Sequence, residues 1–136
     1  MYLLIDLAEK DLIHVSLFDQ KKIVERSFSG PNRDLLLSVS KFLEEEKFKK
    51  ENIKGIMVVV GEGGFTSTRL AVTVANTFGY VLHIPLLAIN RDQVEDVQSL
   101  IPKLLKQTAG KYISATYSGE PNIGKKINNI WAKSQK

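Results

Sequence analysis

The order of the apolar segments constrains the fold of this 136-residue chain more than any other feature of its sequence. Three short apolar segments stand near the N-terminal end, separated only by brief polar breaks. In the second segment Ile13, Val15 and Leu17 alternate with other residues, which is the period-2 pattern of a strand with one buried face. The three segments therefore predict an antiparallel meander. They cover residues 2–7, 12–18 and 23–28.

Downstream of residue 30, helical stripes alternate with apolar runs, a pattern typical of parallel strands joined by helices. Asn32 is expected to be the N-cap of the first helix, and Gly79 is expected to end the second. Pro85 lies within the last apolar run and favours an edge position for that strand. The predicted helices cover residues 34–46 and 65–78, and the predicted strands cover residues 56–60 and 81–89.

The C-terminal third adds one more helix and one more strand to this prediction. Asn90 and Gln93 have the spacing of a capping box, so a third helix is expected to start there. Pro102 should kink or split that helix. Residues 111–117 alternate in polarity and predict a last strand, and a basic tail follows.

Three antiparallel strands followed by helix-connected parallel strands match the ribonuclease H-like core that actin-like ATPase (ASKHA) domains also use. The sequence therefore predicts an α/β fold with a mixed five-stranded sheet and helices on both faces. We expect residues 1–110 to form an actin-like domain. Residues 111–136 are expected to add the extra strand and the basic C-terminal tail to the same domain.

Composition and charge exclude several classes of protein and single out the tail. The chain has no cysteine, which excludes disulfides, zinc–thiolate sites and thiol catalysis. No apolar run approaches the ~20 residues of a membrane span, and no basic leader precedes the first strand, so a cytoplasmic protein without membrane contact is expected. Five lysines and one acidic residue follow residue 110, so the net charge of +4 arises there. This tail is a candidate for RNA contact, and a solubilising terminus is the alternative.

The glycine-rich turn after the central strand does not match a nucleotide-binding motif. A P-loop starting at Gly61 requires a glycine at the position of Thr66 and a lysine directly after it. Threonine and serine stand at these two positions. The same threonine replaces the third glycine of a dinucleotide fingerprint. We therefore expect no cofactor from this turn alone.

Carboxylates offer an alternative function, that of a small ribonuclease H-like, Mg-dependent nuclease or resolvase. Asp6 and Glu62 end core strands and Asp92 begins a late helix, so the three acids could converge. Two-metal hydrolysis needs several such carboxylates. The competing interpretation is that Asp6 caps a turn and Glu62 is a solvated loop acid. His14 and His83 have no neighbouring ligands in the sequence and are expected to be ordinary sheet residues. No catalytic or metal-binding constellation is predicted.

The turn and the helix after it resemble the signature of the TsaB (YeaZ) family, Gly-Pro-Gly-Ser-Phe-Thr-Gly-x-Arg-x-Gly. The corresponding run here is Gly61-Glu62-Gly63-Gly64-Phe65-Thr66-Ser67-Thr68-Arg69-Leu70-Ala71. The matched positions, together with the aspartate of the first strand, are Asp6, Gly61, Gly63, Phe65, Thr66 and Arg69. Four positions depart from the signature, where Glu62, Gly64, Ser67 and Ala71 replace its proline, serine and two glycines. Most of the second actin-like half of the family is missing from this sequence.

This resemblance implies a non-catalytic subunit in the synthesis of threonylcarbamoyladenosine at position 37 of tRNA. In the family the two helices dock on the catalytic paralogue TsaD or on a second copy, which agrees with helices that are apolar around much of their circumference. A degenerate paralogue that only homodimerises is a further alternative. No metal or cofactor is implied for the chain itself, and the tail is a candidate for indirect tRNA contact. The expected partner-binding residues are Leu36, Leu37, Phe65, Arg69, Val72 and Thr73. Replacing Val72 with Glu is expected to break the heterodimer and leave a folded monomer.

Overall fold

Five strands form one mixed sheet in the order β3-β2-β1-β4-β5. The computed structural model describes residues 1–61 and 65–114. β1, β2 and β3 are antiparallel neighbours, whereas β1, β4 and β5 run parallel. The predicted meander and the predicted parallel extension are therefore both confirmed. The strands are β1 (Tyr2–Asp6), β2 (Leu12–Phe18), β3 (Ile23–Ser29), β4 (Ile56–Val59) and β5 (Leu86–Ile89).

Both faces of the sheet are covered, as predicted. Alternate residues of the central strand β1 point to opposite faces, so Leu3 and Ile5 belong to one core and Leu4 to another. The first core packs against two helices, α1 (Leu35–Glu45) and α2 (Phe65–Leu82). The second core packs against a 3-10 helix, Arg91–Leu100, and the short helix α3 (Ile101–Leu105).

Asn32 is not the N-cap of the first helix, and the prediction for this residue is wrong. A short 3-10 turn, Asn32–Asp34, precedes α1, and the residue before α1 makes no capping bond with its side chain. The Asn32 amide instead donates a hydrogen bond to the hydroxyl of Ser67 at the start of α2. The side chain therefore links the turn before α1 to the start of α2 and does not cap α1.

Helix α2 continues past the residue expected to end it. Gly79 lies inside the helix and is buried, because a Cβ at this position would be 2.9 Å from Cδ1 of Leu86 on β5. The glycine thus permits a close approach of helix and strand. The helix ends before His83, which has φ of 55°. The strand predicted over 81–89 is consequently only Leu86–Ile89, at the sheet edge as expected, and His83 is not a sheet residue.

The C-terminal predictions are confirmed in part. The capping box of Asn90 and Gln93 is present, and Pro102 lies in the first turn of α3. The break in the helical backbone is at Asp96 (φ −109°, ψ 20°), ahead of the proline that was expected to cause it. Residues 111–114 form no strand, which contradicts that part of the predicted strand over 111–117. The remainder of that strand and the tail, residues 115–136, lie outside the described residues.

Candidate functional site

The outer faces of α1 and α2 carry apolar side chains that the fold itself does not bury. Leu35 is fully buried in the core, whereas Leu36 and Leu37 are 56% and 70% exposed. On α2 one row of exposed side chains has a four-residue spacing and includes Thr73, Thr77 and Val81. We call Leu36, Leu37, Ser40, Thr73, Thr77 and Val81 the α1–α2 surface.

A shallow groove of about 360 Å³ runs between the two helices of this surface. Its wall is mainly aliphatic and aromatic, with three short hydroxyl side chains and one charge, the ammonium group of Lys50. Short side chains allow another helix to approach closely, and an apolar groove between helices is a common binding site for an amphipathic helix. The lining residues are Leu36, Ser40, Lys50, Thr73, Val74, Thr77, Phe78, Val81 and Leu82.

The structure separates the predicted partner-binding residues into exposed and buried ones. Leu36, Leu37 and Thr73 are exposed on the α1–α2 surface. Val72 is only 6% exposed and belongs to the first core, so the expectation that it contacts a partner is corrected. A side chain that already packs against the sheet has little surface left for docking.

The remaining predicted residues lie at the start of α2. Arg69 is exposed and has an intramolecular partner of its own. Phe65 is the first residue of the helix, but its side chain, like that of Thr66, lies outside the described residues. Thr77 and Val81 of the α1–α2 surface are not among the residues predicted from the sequence. Their four-residue spacing from Thr73 is a signal that, once Thr73 is known to face outwards, identifies both.

A second concavity lies where β1 and β5 end, the edge at which open α/β sheets usually bind ligands. This cleft of about 280 Å³ is bordered by Asp6, Glu9, His14 and Arg91, among others. Its polar groups are largely paired with one another or with the chain. The Asp6 carboxylate accepts a hydrogen bond of 2.9 Å from the Ala8 N–H, and Arg91 donates one of 2.5 Å to Glu9.

Asp6 therefore caps a turn, as the simpler interpretation of this residue predicted. His14 lies on β2, with Nε2 3.0 Å from a Glu25 oxygen and Nδ1 3.0 Å from the Ser27 hydroxyl. Asp92 is exposed on the 3-10 helix. Among the described residues, no group of histidine and carboxylate side chains is placed to hold a metal ion. Glu62, which the nuclease hypothesis also requires, lies outside them.

The turn after β4 is described only at its first glycine. Gly61 has φ of 84°, a backbone conformation that a side chain would strain, which explains a glycine at this matched position. Gly63 lies outside the described residues. Within the described ranges no helix is long and apolar enough to cross a membrane.

Comparisons with known proteins place these features in a family context. The model of the TsaD family, tRNA N6-adenosine threonylcarbamoyltransferase, matches residues 32–98. This segment contains α1, α2, β4 and β5, and thus both walls of the groove. A comparison with curated protein sequences finds no match.

Two solved structures from Pseudomonas aeruginosa share the fold. YeaZ superimposes with a TM-score of 0.61 and 21% identity, over 76% of this chain and 50% of that one. An uncharacterised protein with similarity to peptidase YEAZ gives 0.59 and 24%, over 66% and 44% of the two chains. This chain therefore spans about half the length of the structures it matches. The predicted actin-like, ribonuclease H-like fold and the resemblance to TsaB (YeaZ) are confirmed.

Proposed function

We propose that this chain is a non-catalytic scaffold subunit for threonylcarbamoyladenosine modification of tRNA, and that its α1–α2 surface docks on a TsaD-like catalytic subunit. The observation that carries the proposal is the exposure of Leu36 and Leu37 beside an apolar groove. Both helices lie within the segment that the family model matches. A cytoplasmic location follows from this role.

The energetics favour an occupied groove. Moving a leucine side chain from water into an apolar contact is worth roughly 1.5–3 kcal/mol, and two adjacent leucines of α1 are available for such a contact. Thr73 and Thr77 present short side chains on the facing helix, so a partner helix can pack close to the backbone of α2. The groove is lined by one charged side chain, which keeps the cost of removing water low.

The cleft at the strand ends supports the assignment of the chemistry to the partner. The Asp6 carboxylate and the Arg91 guanidinium already have intramolecular partners there. A nuclease mechanism would need Asp6 to bind a metal ion together with other carboxylates. No observation on the described residues favours that second candidate, and a Mg²⁺-dependent cleavage assay on branched DNA addresses it directly.

Co-expression with the TsaD homologue from the same genome tests the proposal. The complex is purified through a tag on the TsaD homologue, and its native mass is measured by light scattering after size exclusion. A stable heterodimer, or a higher assembly with equal amounts of both chains, is the expected result. Recovery of this chain only in the unbound fraction, as a monomer, would overturn the proposal. A self-dimer in that fraction would favour the homodimeric alternative instead.

A further inference from the structure

Two segments that pack together at the outer edge of β5 contain no acidic residue. Residues 65–89, which form α2 and β5, hold neither Asp nor Glu. Residues 97–114, which include α3 and the chain after it, also hold none, although they carry three lysines. An acid-free pair of segments gives this edge of the molecule a positive potential, even though residues 1–110 as a whole are electrically balanced.

Specific contacts bring the two segments together. The N–H of Gly110 donates a 3.1 Å hydrogen bond to the carbonyl of Ile84. The same glycine lies against the imidazole of His83, since a Cβ there would be 3.1 Å from Nδ1. Lys111 and Tyr112 line a small cavity together with Leu86 of β5. The chain after α3 therefore wraps around the sheet edge beside the end of α2.

From the end of α2 onwards, six exposed side chains of these two segments are cationic or aromatic. Tyr80 and Tyr112 are 70% and 64% exposed. The ion pairs within residues 1–61 and 65–114 all involve residues elsewhere on the molecule. We call this group the β5-edge patch, and its members are Tyr80, His83, Lys103, Lys106, Lys111 and Tyr112.

We infer that the β5-edge patch binds single-stranded RNA, with the lysines on phosphates and the tyrosine rings stacked on bases. Cations combined with exposed aromatic rings are the usual chemistry of single-strand recognition, because every base offers a π face. An acidic protein surface would also be attracted by the lysines, but only a nucleic acid combines a regular row of phosphates with bases that stack on the tyrosine rings. The choice of RNA over DNA rests on the proposed function. Beyond Ser114 the sequence adds four more lysines and one glutamate, which favours a polyanion further.

The patch and the α1–α2 surface lie on different sides of α2, so RNA and a partner subunit can bind at the same time. Val74 and Phe78 of α2 line the groove towards α1. Asn76 instead contacts Ile113 on the chain that leads away from the patch. A scaffold arranged in this way would hold a tRNA and a catalytic subunit at the same time.

Fluorescence anisotropy with the full chain and a labelled 20-nucleotide single-stranded RNA tests the inference. The patch variant combines Lys103→Gln, Lys106→Gln and Lys111→Gln. The matched control, Lys10→Gln, Lys21→Gln and Lys22→Gln, removes the same charge from exposed positions of the β1–β2 and β2–β3 turns. A second pair of variants compares Tyr112→Ala with Tyr2→Phe, which alters a buried tyrosine outside the patch.

The patch variant should bind the RNA at least tenfold more weakly at low salt. The slope of log K against log salt should become shallower by about 2, because each of the lost phosphate contacts contributes ~0.7. Tyr112→Ala should weaken RNA binding by about fivefold or more, because a base loses its stacking partner. Equal losses in the patch and control triples would overturn the inference, as would binding to anionic vesicles but not to RNA. Co-purification with the TsaD homologue is measured on the same variants. An unchanged heterodimer with lost RNA binding separates this inference from the proposed function.

Discussion

Asn76 and Ile113 form a two-point hydrogen bond between a side-chain amide and a backbone. The Nδ2 of Asn76 donates to the carbonyl of Ile113 at 3.1 Å, and the N–H of Ile113 donates to the Oδ1 of Asn76 at 2.9 Å. The amide thus presents a donor and an acceptor as a neighbouring strand would. It fixes the chain after the β5-edge patch to the flank of α2.

Replacing Asn76 with Ala should release this segment without unfolding the sheet. Two hydrogen bonds at a partly buried site are lost, so we expect the free energy of unfolding to fall by about 1–2 kcal/mol. Hydrogen exchange at the Ile113 amide should accelerate, while the amides of β1 and β4 keep their protection. Thr77→Ala is the control, because its hydroxyl bonds only to a carbonyl of its own helix. Unchanged exchange at Ile113 would contradict the assigned role.

The same contact explains why the last predicted strand is absent from residues 111–114. Alternating polarity predicts an extended segment. It does not indicate whether a neighbouring strand or a side chain forms the hydrogen bonds of its backbone N–H and C=O groups. In the first half of the chain, the period-2 pattern and short polar breaks agree with local pairing. The meander was therefore predictable from residues 2–28 alone, whereas the fate of Ile113 depends on Asn76, 37 residues away.

The candidate site was predictable on one helix and only partly on the other. On α1, a clear stripe through Leu35, Val39 and Phe42 marks the core, so Leu36 and Leu37 are left for the outside. On α2, apolar and small residues occur all around the helix, and periodicity cannot tell which face meets the sheet. Val72 and its neighbour Thr73 were therefore both predicted to face outwards, and of the two only Thr73 is exposed.

This pair of neighbours gives a direct test of the burial pattern. Val72→Glu places an unpaired carboxylate in the first core. We therefore expect the free energy of unfolding to fall by at least about 3 kcal/mol, or the variant not to fold. Val72→Ala is the milder change and should cost about 1–3 kcal/mol through a cavity. Thr73→Glu, on the exposed side, should change stability by less than about 0.5 kcal/mol. Urea unfolding followed by circular dichroism measures all three, and a stable, folded Val72→Glu monomer would show that the side chain faces outwards.

Gly79→Ala should destabilise the fold although alanine favours helices. The new Cβ would lie 2.9–3.1 Å from three carbons of the Leu86 side chain, which is only 2% exposed and has little room to move. The strain of overpacking, about 1–3 kcal/mol, exceeds the helix gain of about 0.5–1 kcal/mol. In a Leu86→Ala background the clash is relieved, so Gly79→Ala should there be neutral or stabilising. Additive losses in the double variant, measured by urea unfolding, would exclude this close packing as the reason for the glycine.

Leu37→Asp should prevent docking through the α1–α2 surface and leave the monomer intact. Because the side chain is 70% exposed, the substitution should alter the free energy of unfolding by less than about 0.5 kcal/mol. In a complex the carboxylate would be buried in an apolar contact, and the loss of an interface anchor costs about 2 kcal/mol or more, equal to roughly 30-fold in Kd. Leu105→Asp is the matched control, since Leu105 is a 53% exposed leucine on α3, on the other face of the sheet. Affinity for the TsaD homologue is measured by calorimetry with the wild type and both variants. Equal weakening by the two substitutions, or none by Leu37→Asp, would show that the partner binds elsewhere on the molecule.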